Sequence, residues 1–393
     1  MNTKITEKIS WVGFIDWDIR DFHGYETRRG ATYNAYLVRD EKIALIDTVK
    51  RPFAEKLLEN ITELVPPEKV DYVVCNHAEF DHASSLPVMM EKLPNAVLVC
   101  NAKCQKTLSS YFDTSAWRWK IVENGETLSL GGTTLKFLFT PMVHWPESMM
   151  TYVPEEKLLF SMDAFGQHLA SSERFDDELP LGEIMEEAET YYANIVMPYG
   201  PQVLTVLEAA KGLDIQTICC SHGVIWRKNL ATILEAYTRW ASRKTAPKVL
   251  ILYETMWQST EKMAKAICAG VQDVPGVSAH VLNVRHTPLT EIATASIDAA
   301  CCAVGSATLN CLQMPAVAAA MNYLHGLRPP IKHALAFGSY GWGRGATEEI
   351  SAWFEKMKWT PIQDAIKCDY LPDDDTLAKC REAGKVLGEK AKS

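Results

Sequence analysis

His77-Ala78-Glu79-Phe80-Asp81-His82 follows the apolar run Tyr72-Val73-Val74-Cys75. Four side chains able to bind metal thus stand within six residues, where a buried strand would end. Glu79 sets the chemistry. A zinc hydrolase built on this hexapeptide would carry histidine at the third position. Glutamate instead puts a hard oxygen where a borderline nitrogen would sit, and oxygen-rich mixed sites suit iron or manganese better than zinc. The reading tilts from hydrolysis towards redox chemistry.

Three further candidates end apolar segments. His144 follows Leu138-Phe139-Thr140-Pro141-Met142-Val143, Asp163 follows Leu158-Leu159-Phe160-Ser161-Met162, and His222 follows Ile218-Cys219-Cys220-Ser221. An α/β fold places ligands at such strand ends. One histidine after a strand is ordinarily a satisfied loop or core residue, and one aspartate is often a helix cap. Four histidines and three carboxylates together are different. Burying that much charge is costly unless a cation offsets it, and ligand clusters converge in this way mainly at metal or catalytic sites.

At 393 residues the chain exceeds one ordinary core, which predicts two domains or more. Its formal net charge of -9 lacks the basic face of a nucleic-acid binder and fits a cytoplasmic protein. No apolar run is long enough to span a bilayer, so no membrane partner is expected. The polar start, Met1-Asn2-Thr3-Lys4-Ile5-Thr6-Glu7-Lys8, offers no signal-peptide core. The 11 cysteines are scattered, with vicinal pairs at Cys219-Cys220 and Cys301-Cys302. They read as buried, reduced thiols. Without any Cys-x-x-Cys, the chain has no rubredoxin-type iron knuckle or cysteine zinc site of its own.

From Tyr33 to about Ile225, short apolar strands alternate with helical stretches. Ala35-Tyr36-Leu37-Val38 and Ile43-Ala44-Leu45-Ile46 predict a hairpin over the polar turn Arg39-Asp40-Glu41-Lys42. Thr133 to Phe139 and Lys157 to Phe160 predict strands, while Pro52 to Leu64 and Leu181 to Ile195 show helical spacing. The pattern predicts a layered α/β domain over 1–246. After the polar linker Ser242-Arg243-Lys244-Thr245-Ala246-Pro247, strict strand–helix alternation begins and predicts a doubly wound parallel sheet over 247–393. Its strands are expected at Val249 to Tyr253, Ser278 to Val284, Ala299 to Val304 and Ala334 to Phe337, with a helix from Pro315 to Leu324.

Three loops in this second half point to a phosphate-bearing flat ligand. Glu254-Thr255-Met256-Trp257-Gln258-Ser259-Thr260-Glu261 lies between the first strand and a helix, where backbone N–H groups, the helix dipole and hydroxyls can cradle a phosphate. Taken alone it could equally be an N-cap at Ser259 or Thr260. Gly305-Ser306-Ala307-Thr308-Leu309-Asn310 and Gly338-Ser339-Tyr340-Gly341-Trp342-Gly343 follow two further strands. Glycine there permits close backbone approach to a ring, on which Tyr340 or Trp342 can stack. No Gly-x-Gly-x-x-Gly follows the first strand, which favours FMN over FAD or NAD.

The pattern His-x-Glu-x-Asp-His with later His, Asp and His resembles the diiron centre of flavodiiron proteins (A-type flavoproteins, rubredoxin:oxygen oxidoreductases). His144-Trp145-Pro146-Glu147-Ser148-Met149-Met150 and Tyr191-Tyr192-Ala193-Asn194-Ile195 are also similar to that family. The resemblance covers both halves of the chain. It implies a metallo-β-lactamase-like αββα domain followed by a flavodoxin-like domain. It further implies one iron on His77, Glu79 and His144, a second on Asp81, His82 and His222, and Asp163 bridging them. His23, Trp145, His168 and Tyr191 are expected around the irons without ligating them. Two departures stand out in the flavin loops: Gln258 and Ala307 replace an expected glycine and proline. A third is Arg344, which stands within a glycine run and adds a charge beside the expected flavin.

By the same resemblance, a small carrier such as rubredoxin reduces FMN, and the diiron site reduces dioxygen to water or nitric oxide to nitrous oxide. A head-to-tail homodimer, or a dimer of such dimers, is implied. The residues also leave room for a zinc hydrolase with a fused flavodoxin domain, or a flavin electron-transfer protein with a structural metal.

Overall fold

Tyr36–Arg39 and Ile43–Ile46 pair antiparallel across the polar turn, as two short apolar runs flanking it predict. Successive residues point to opposite faces. Tyr36, Val38, Ala44 and Ile46 enter one hydrophobic cluster, while Leu37 and Leu45 enter another. Val73 and Val74 divide in the same way, as do Leu98 and Val99. A sheet buried on both faces accounts for strands that read as unbroken apolar runs.

That sheet has seven strands, with Ile43–Ile46, Val70–Val74 and Val97–Cys100 parallel at its centre. One face carries the helices Ala54–Thr62, Leu86–Lys92 and Ala102–Tyr111. Their Leu57, Leu86 and Leu108 pack with Leu37, Val73 and Leu98. Against the other face lies a five-stranded sheet of Thr127–Ser129, Thr134–Phe139, Met149–Val153, Leu158–Met162 and Thr217–Cys220. Leu135, Phe137, Met149 and Phe160 interleave there with Ile9, Trp11, Val38 and Val74. The result is the expected αββα sandwich.

The computed structural model describes residues 2–393; Met1, which opens the polar N-terminal run, lies outside them. The chain divides into two units. The first runs up to Tyr192 and adds Pro201–Thr238; the second comprises Ala193–Gly200 and Arg239–Ser393. In the second, Ser278–Asn283, Ala246–Glu254, Ala299–Leu309 and His333–Tyr340 are parallel neighbours in that order. Ile366–Asp369 and the two-residue Thr360–Pro361 both extend the sheet from His333–Tyr340. This is the flavodoxin-like order. Ser259–Gln272 and Asp374–Lys392 cover one face, and Leu289–Ser296, Pro315–Leu327 and Ala346–Met357 the other. A Cβ on Gly270 would meet the Arg381 carbonyl at 1.8 Å, so glycine lets the two helices of the first face touch.

Three expectations need correction. Ala246 and Pro247 are not linker: the first strand of the second unit already starts at Ala246. Gly338 to Tyr340 are not loop but the end of the strand that starts at His333, and Gly305 to Leu309 likewise continue the strand that starts at Ala299. Asn310 and Cys311, both at positive φ, turn that strand back onto Leu312–Gln313, and a turn of this kind built without glycine leaves little trace in sequence. Not every cysteine is buried either, since Cys311 is exposed and Cys268 half-buried. Among the described residues no helix is long and apolar enough to cross a membrane.

Candidate metal centre and flavin cleft

Each candidate ligand stands just beyond a strand of the first unit. Val70–Val74 leads to His77 and Glu79, and the single turn Phe80–Ala83 presents Asp81 and His82. Thr134–Phe139, Leu158–Met162 and Thr217–Cys220 lead to His144, Asp163 and His222. All seven converge. His77, Glu79, His144 and Asp163 each offer one atom within 4.8 Å of the others, and so do Asp81, His82 and His222.

Asp163 joins the two groups. Its Oδ2 lies 3.4 Å from His77 Nε2 and 3.1 Å from His144 Nε2; its Oδ1 lies 3.1 Å from His82 Nε2 and 3.4 Å from His222 Nε2. Glu79 Oε2 completes the first group at 3.3 Å from His77 Nε2 and 3.1 Å from His144 Nε2. Asp81 Oδ2 completes the second at 3.0 Å from His82 Nε2 and 3.1 Å from His222 Nε2. Donor atoms about 3.0–3.4 Å apart match the edges of a coordination polyhedron with metal–ligand bonds of about 2.1 Å. The donors fit a pair of cations. Both Asp81 oxygens, Asp163 Oδ2 and His222 Nε2 are buried without a hydrogen-bond partner. Buried polar atoms that no hydrogen bond satisfies are costly unless a cation binds.

Burial opposes ionisation here, yet pairing wins. The facing imidazoles hold Asp81 and Asp163 well below the usual carboxylate range against that burial. His77, which burial would push down, is raised to about 10 by its bonds to Glu147 and Glu79. Glu147 carries a role that the sequence reading did not assign. Its Oε1 accepts from His77 Nδ1 at 2.7 Å and from the Ala78 N–H at 3.2 Å, so Nε2 faces the cluster. His222 is oriented likewise by donating Nδ1–H to the Thr32 carbonyl at 2.6 Å. Such partners fix the tautomer of a ligating histidine. Glu147 was visible in His144-Trp145-Pro146-Glu147, but only the fold brings it to His77.

The four expected surrounding residues are all nearby. His23 Nε2 stands 3.5 Å from Asp81 Oδ2 and 3.8 Å from Glu79 Oε2. Trp145 meets the His77 ring edge to face at 5.2 Å. His168 and Tyr191 pack edge to face at 5.0 Å, and each lies beside His222. Burial and the neighbouring imidazoles push His168 well down, so its ring is neutral. Burial raises Tyr191 well above its ordinary value, so its hydroxyl keeps its proton. His168 Nε2 and the Tyr191 hydroxyl are buried and unpartnered. Phe22 and Tyr25, which the sequence reading passed over, sandwich His168, and the Tyr25 hydroxyl bonds its Nδ1 at 2.8 Å.

The three expected segments of the second unit, partly loop and partly strand end, enclose a cleft of about 560 Å³ at the carboxyl ends of its strands. Met256, Trp257, Ser259, Ala307 to Asn310 and Ser339 to Gly343 line it, together with the unanticipated Cys311, Tyr370 and Leu371. Four of the expected contacts stand back from this wall. Thr260 is buried and bonded to Ser339 at 3.2 Å, and Ser306 accepts from the Met314 N–H at 2.9 Å. Thr255 Oγ1 is buried without a partner. Gln258 caps the following helix at φ 66°, the left-handed region that favours glycine, while Ser259 and Thr260 lie inside the helix rather than capping it. Arg344 does not line the cleft; it donates to the Tyr340 hydroxyl at 2.7 Å and covers that ring at 4.5 Å. An apolar-walled cleft with exposed aromatics and glycine at its lip fits a flat ring system.

Fold and sites together define a two-module redox protein, a metal-binding sandwich followed by a flavodoxin-like unit. Comparison with known proteins agrees. Residues 31–223 match the ODP family beta lactamase model and residues 251–384 the flavodoxin model. A nitric oxide reductase of Moorella thermoacetica is 42% identical over 98% of this chain and 97% of its own. The rubredoxin oxygen:oxidoreductase of the anaerobe Desulfovibrio gigas superposes with a TM-score of 0.97 at 38% identity, covering 100% of this chain and 99% of that one. The flavodiiron protein of Giardia intestinalis gives 0.96 at 38% identity, over 100% and 97%. The chain belongs to the flavodiiron protein family, and it is an oxidoreductase.

Proposed function

We propose that the first unit holds two irons, that the second holds FMN, and that the protein reduces dioxygen to water or nitric oxide to nitrous oxide. The observation that carries this reading is the division of the Asp163 carboxylate, with Oδ2 turned to His77 and His144 and Oδ1 to His82 and His222. One iron would take His77, Glu79 and His144, the other Asp81, His82 and His222, with Asp163 between them. When bound, the iron pair would supply electrons and Lewis acidity to one dioxygen or to two nitric oxide molecules, and FMN would relay electrons from the donor.

The chain's own residues do the rest. Glu147 and the Thr32 carbonyl aim His77 and His222. Both candidate reactions consume protons as well as electrons. The Tyr191 hydroxyl holds a proton beside the cluster, and His168 is held neutral there, its Nε2 free to hydrogen-bond a small polar molecule. His23 stands over Asp81 and Glu79 on the same side. In the flavin cleft, Trp257, Tyr340 and Trp342 offer ring faces, and Thr255 Oγ1 offers a buried hydroxyl to the phosphate.

The names of the Moorella and Desulfovibrio relatives support both substrates and rubredoxin as donor. In this reading the chain ahead of Ala246 and the chain from the strand that opens there are the two working modules, the protein is cytoplasmic, and a head-to-tail homodimer brings one subunit's flavin to its partner's irons. The test is steady-state turnover of iron-replete protein with reduced rubredoxin, supplied with oxygen or nitric oxide in parallel. Consumption of neither gas would sink the proposal, and the ratio of the two rates assigns the substrate.

A further inference from the structure

A second cleft of the flavodoxin-like unit, about 520 Å³, is rimmed by Arg243, Arg328, Lys332, Lys356 and Lys358. No carboxylate lines it, in a chain whose net charge is -9. Its floor is apolar: Pro329, Pro330, Ile331 and Trp359 are all buried. Part of this charge answers local backbone. The helices Pro315–Leu327 and Ala346–Met357 both end here, on Arg328 and Lys358 in left-handed conformation. Each helix end contributes only about half a negative charge, so two ends answer only part of the charge of Arg328, Lys332, Lys356 and Lys358. Arg243 is fixed in place by donating to the Arg328 and Pro329 carbonyls at 2.7 and 3.2 Å, and Lys356 covers the Trp353 ring at 4.4 Å. Like charges gathered around one concavity repel one another, an effect that water and salt screen at these exposed positions and that a bound anion would relieve further.

The flavin cannot be that anion. Lys332 directly precedes the strand His333–Tyr340, whose far end carries the flavin aromatics. Eight residues of strand separate the two clefts by roughly 26 Å. The shape also selects the ligand. Protein partners and membrane surfaces need a broad face, commonly about 800 Å² per partner for proteins, whereas this is a hollow of small-molecule size. Arginine forks and lysine points around a hollow suit phosphate oxygens, and the apolar floor can take a flat organic body.

We propose that this cleft binds a small soluble polyanion with two or more linked phosphates, the class that nucleoside di- and triphosphates represent. The experiment is isothermal titration of the FMN- and iron-loaded protein with ATP, pyrophosphate and AMP at low and raised salt. Expected are saturable binding of ATP and pyrophosphate with Kd below about 1 mM, weakening with salt, and weaker binding of AMP. The double variant Arg328→Gln/Lys332→Gln, at two exposed positions, should bind at least about tenfold more weakly, as loss of charge-assisted bonds requires, with flavin content and melting temperature unchanged. Absence of binding by both ATP and pyrophosphate would overturn the proposal. So would equal affinity in the variant, AMP binding as tightly as ATP, or a cleft that engages only anionic vesicles or polyglutamate.

Discussion

His77, Asp81, His82, Asp163 and His222 are each at most 2% exposed, whereas Trp257 and Trp342 at the flavin cleft are 81% and 97% exposed. The first unit assembles its site from strand ends that approach inside a sandwich, and a buried carboxylate there has no solvent to fall back on. The second assembles its site from strand ends and open loop tips such as Trp257 and Trp342, where an exposed indole costs little and waits for a ring to cover it. One site should therefore be all-or-none in its ligands, the other graded. The largest expected effect tests the first half of that contrast. Asp163→Ala removes the one carboxylate among the described residues that faces both halves of the cluster, and iron content should fall from two towards none. Turnover should drop by more than about 100-fold, beyond the range seen when only an outer partner of a ligand is lost. Iron analysis beside turnover reads this, and a variant retaining both irons would break the contrast.

Glu147→Ala is the next step down. It touches no metal position but leaves His77 Nδ1 without its acceptor. Metal affinity should fall about 10- to 100-fold, read by competition with a chelator. Glu147→Gln, which keeps an oxygen at the same place, should recover much of the loss. Equal affinity in all three proteins would mean that packing alone orients His77.

Burial of charge in the first unit also predicts a pH effect away from the metals. Glu187, 8% exposed, is raised by burial to about 7 although Arg29 lies 3.1 Å away. A carboxyl whose folded pKa lies above its unfolded value favours folding below the unfolded pKa of 4.5, and that contribution is lost as pH rises through about 7. Glu187→Gln should therefore match the parent near pH 4.5 and exceed it in stability at pH 8 by roughly 1–3 kcal/mol. Thermal melts at the two pH values decide it. A variant less stable at pH 8 would show that the Arg29 pair outweighs burial.

How much could be read from the chain follows the same division. The convergence of the seven candidate ligands was legible because they crowd one hexapeptide and then recur at strand ends, and each residue type is chemically rare in an apolar context. Glu147, Phe22, Tyr25 and the Thr32 carbonyl were not, since their roles arise only when distant segments meet. In the second unit, strand–helix alternation sufficed for the parallel sheet, but not for where its strands stop. Gly305 to Leu309 read as loop because small and polar residues interrupt the apolar run, and the turn at Asn310-Cys311 places a cysteine, which rarely takes positive φ, where glycine would have marked it. Tyr370 and Leu371 reach the flavin cleft from a segment with no motif at all.

The smallest effect expected tests the graded site. Trp342 is almost fully exposed and packs against nothing that its removal would disturb, so Trp342→Ala should leave the melting temperature of flavin-free protein unchanged. If the indole covers the bound ring, its loss removes one aromatic contact of about 0.5–1.5 kcal/mol, and FMN affinity should fall about three- to tenfold. Tyr340, braced by Arg344, and Trp257 remain to hold the ring. Titration of flavin-free protein with FMN, followed by flavin fluorescence, reads the change. Unaltered affinity would remove Trp342 from the site. A variant stripped of flavin as completely as Asp163→Ala is stripped of iron would show that the open cleft, too, depends on a single side chain, and the contrast between the two sites would fail.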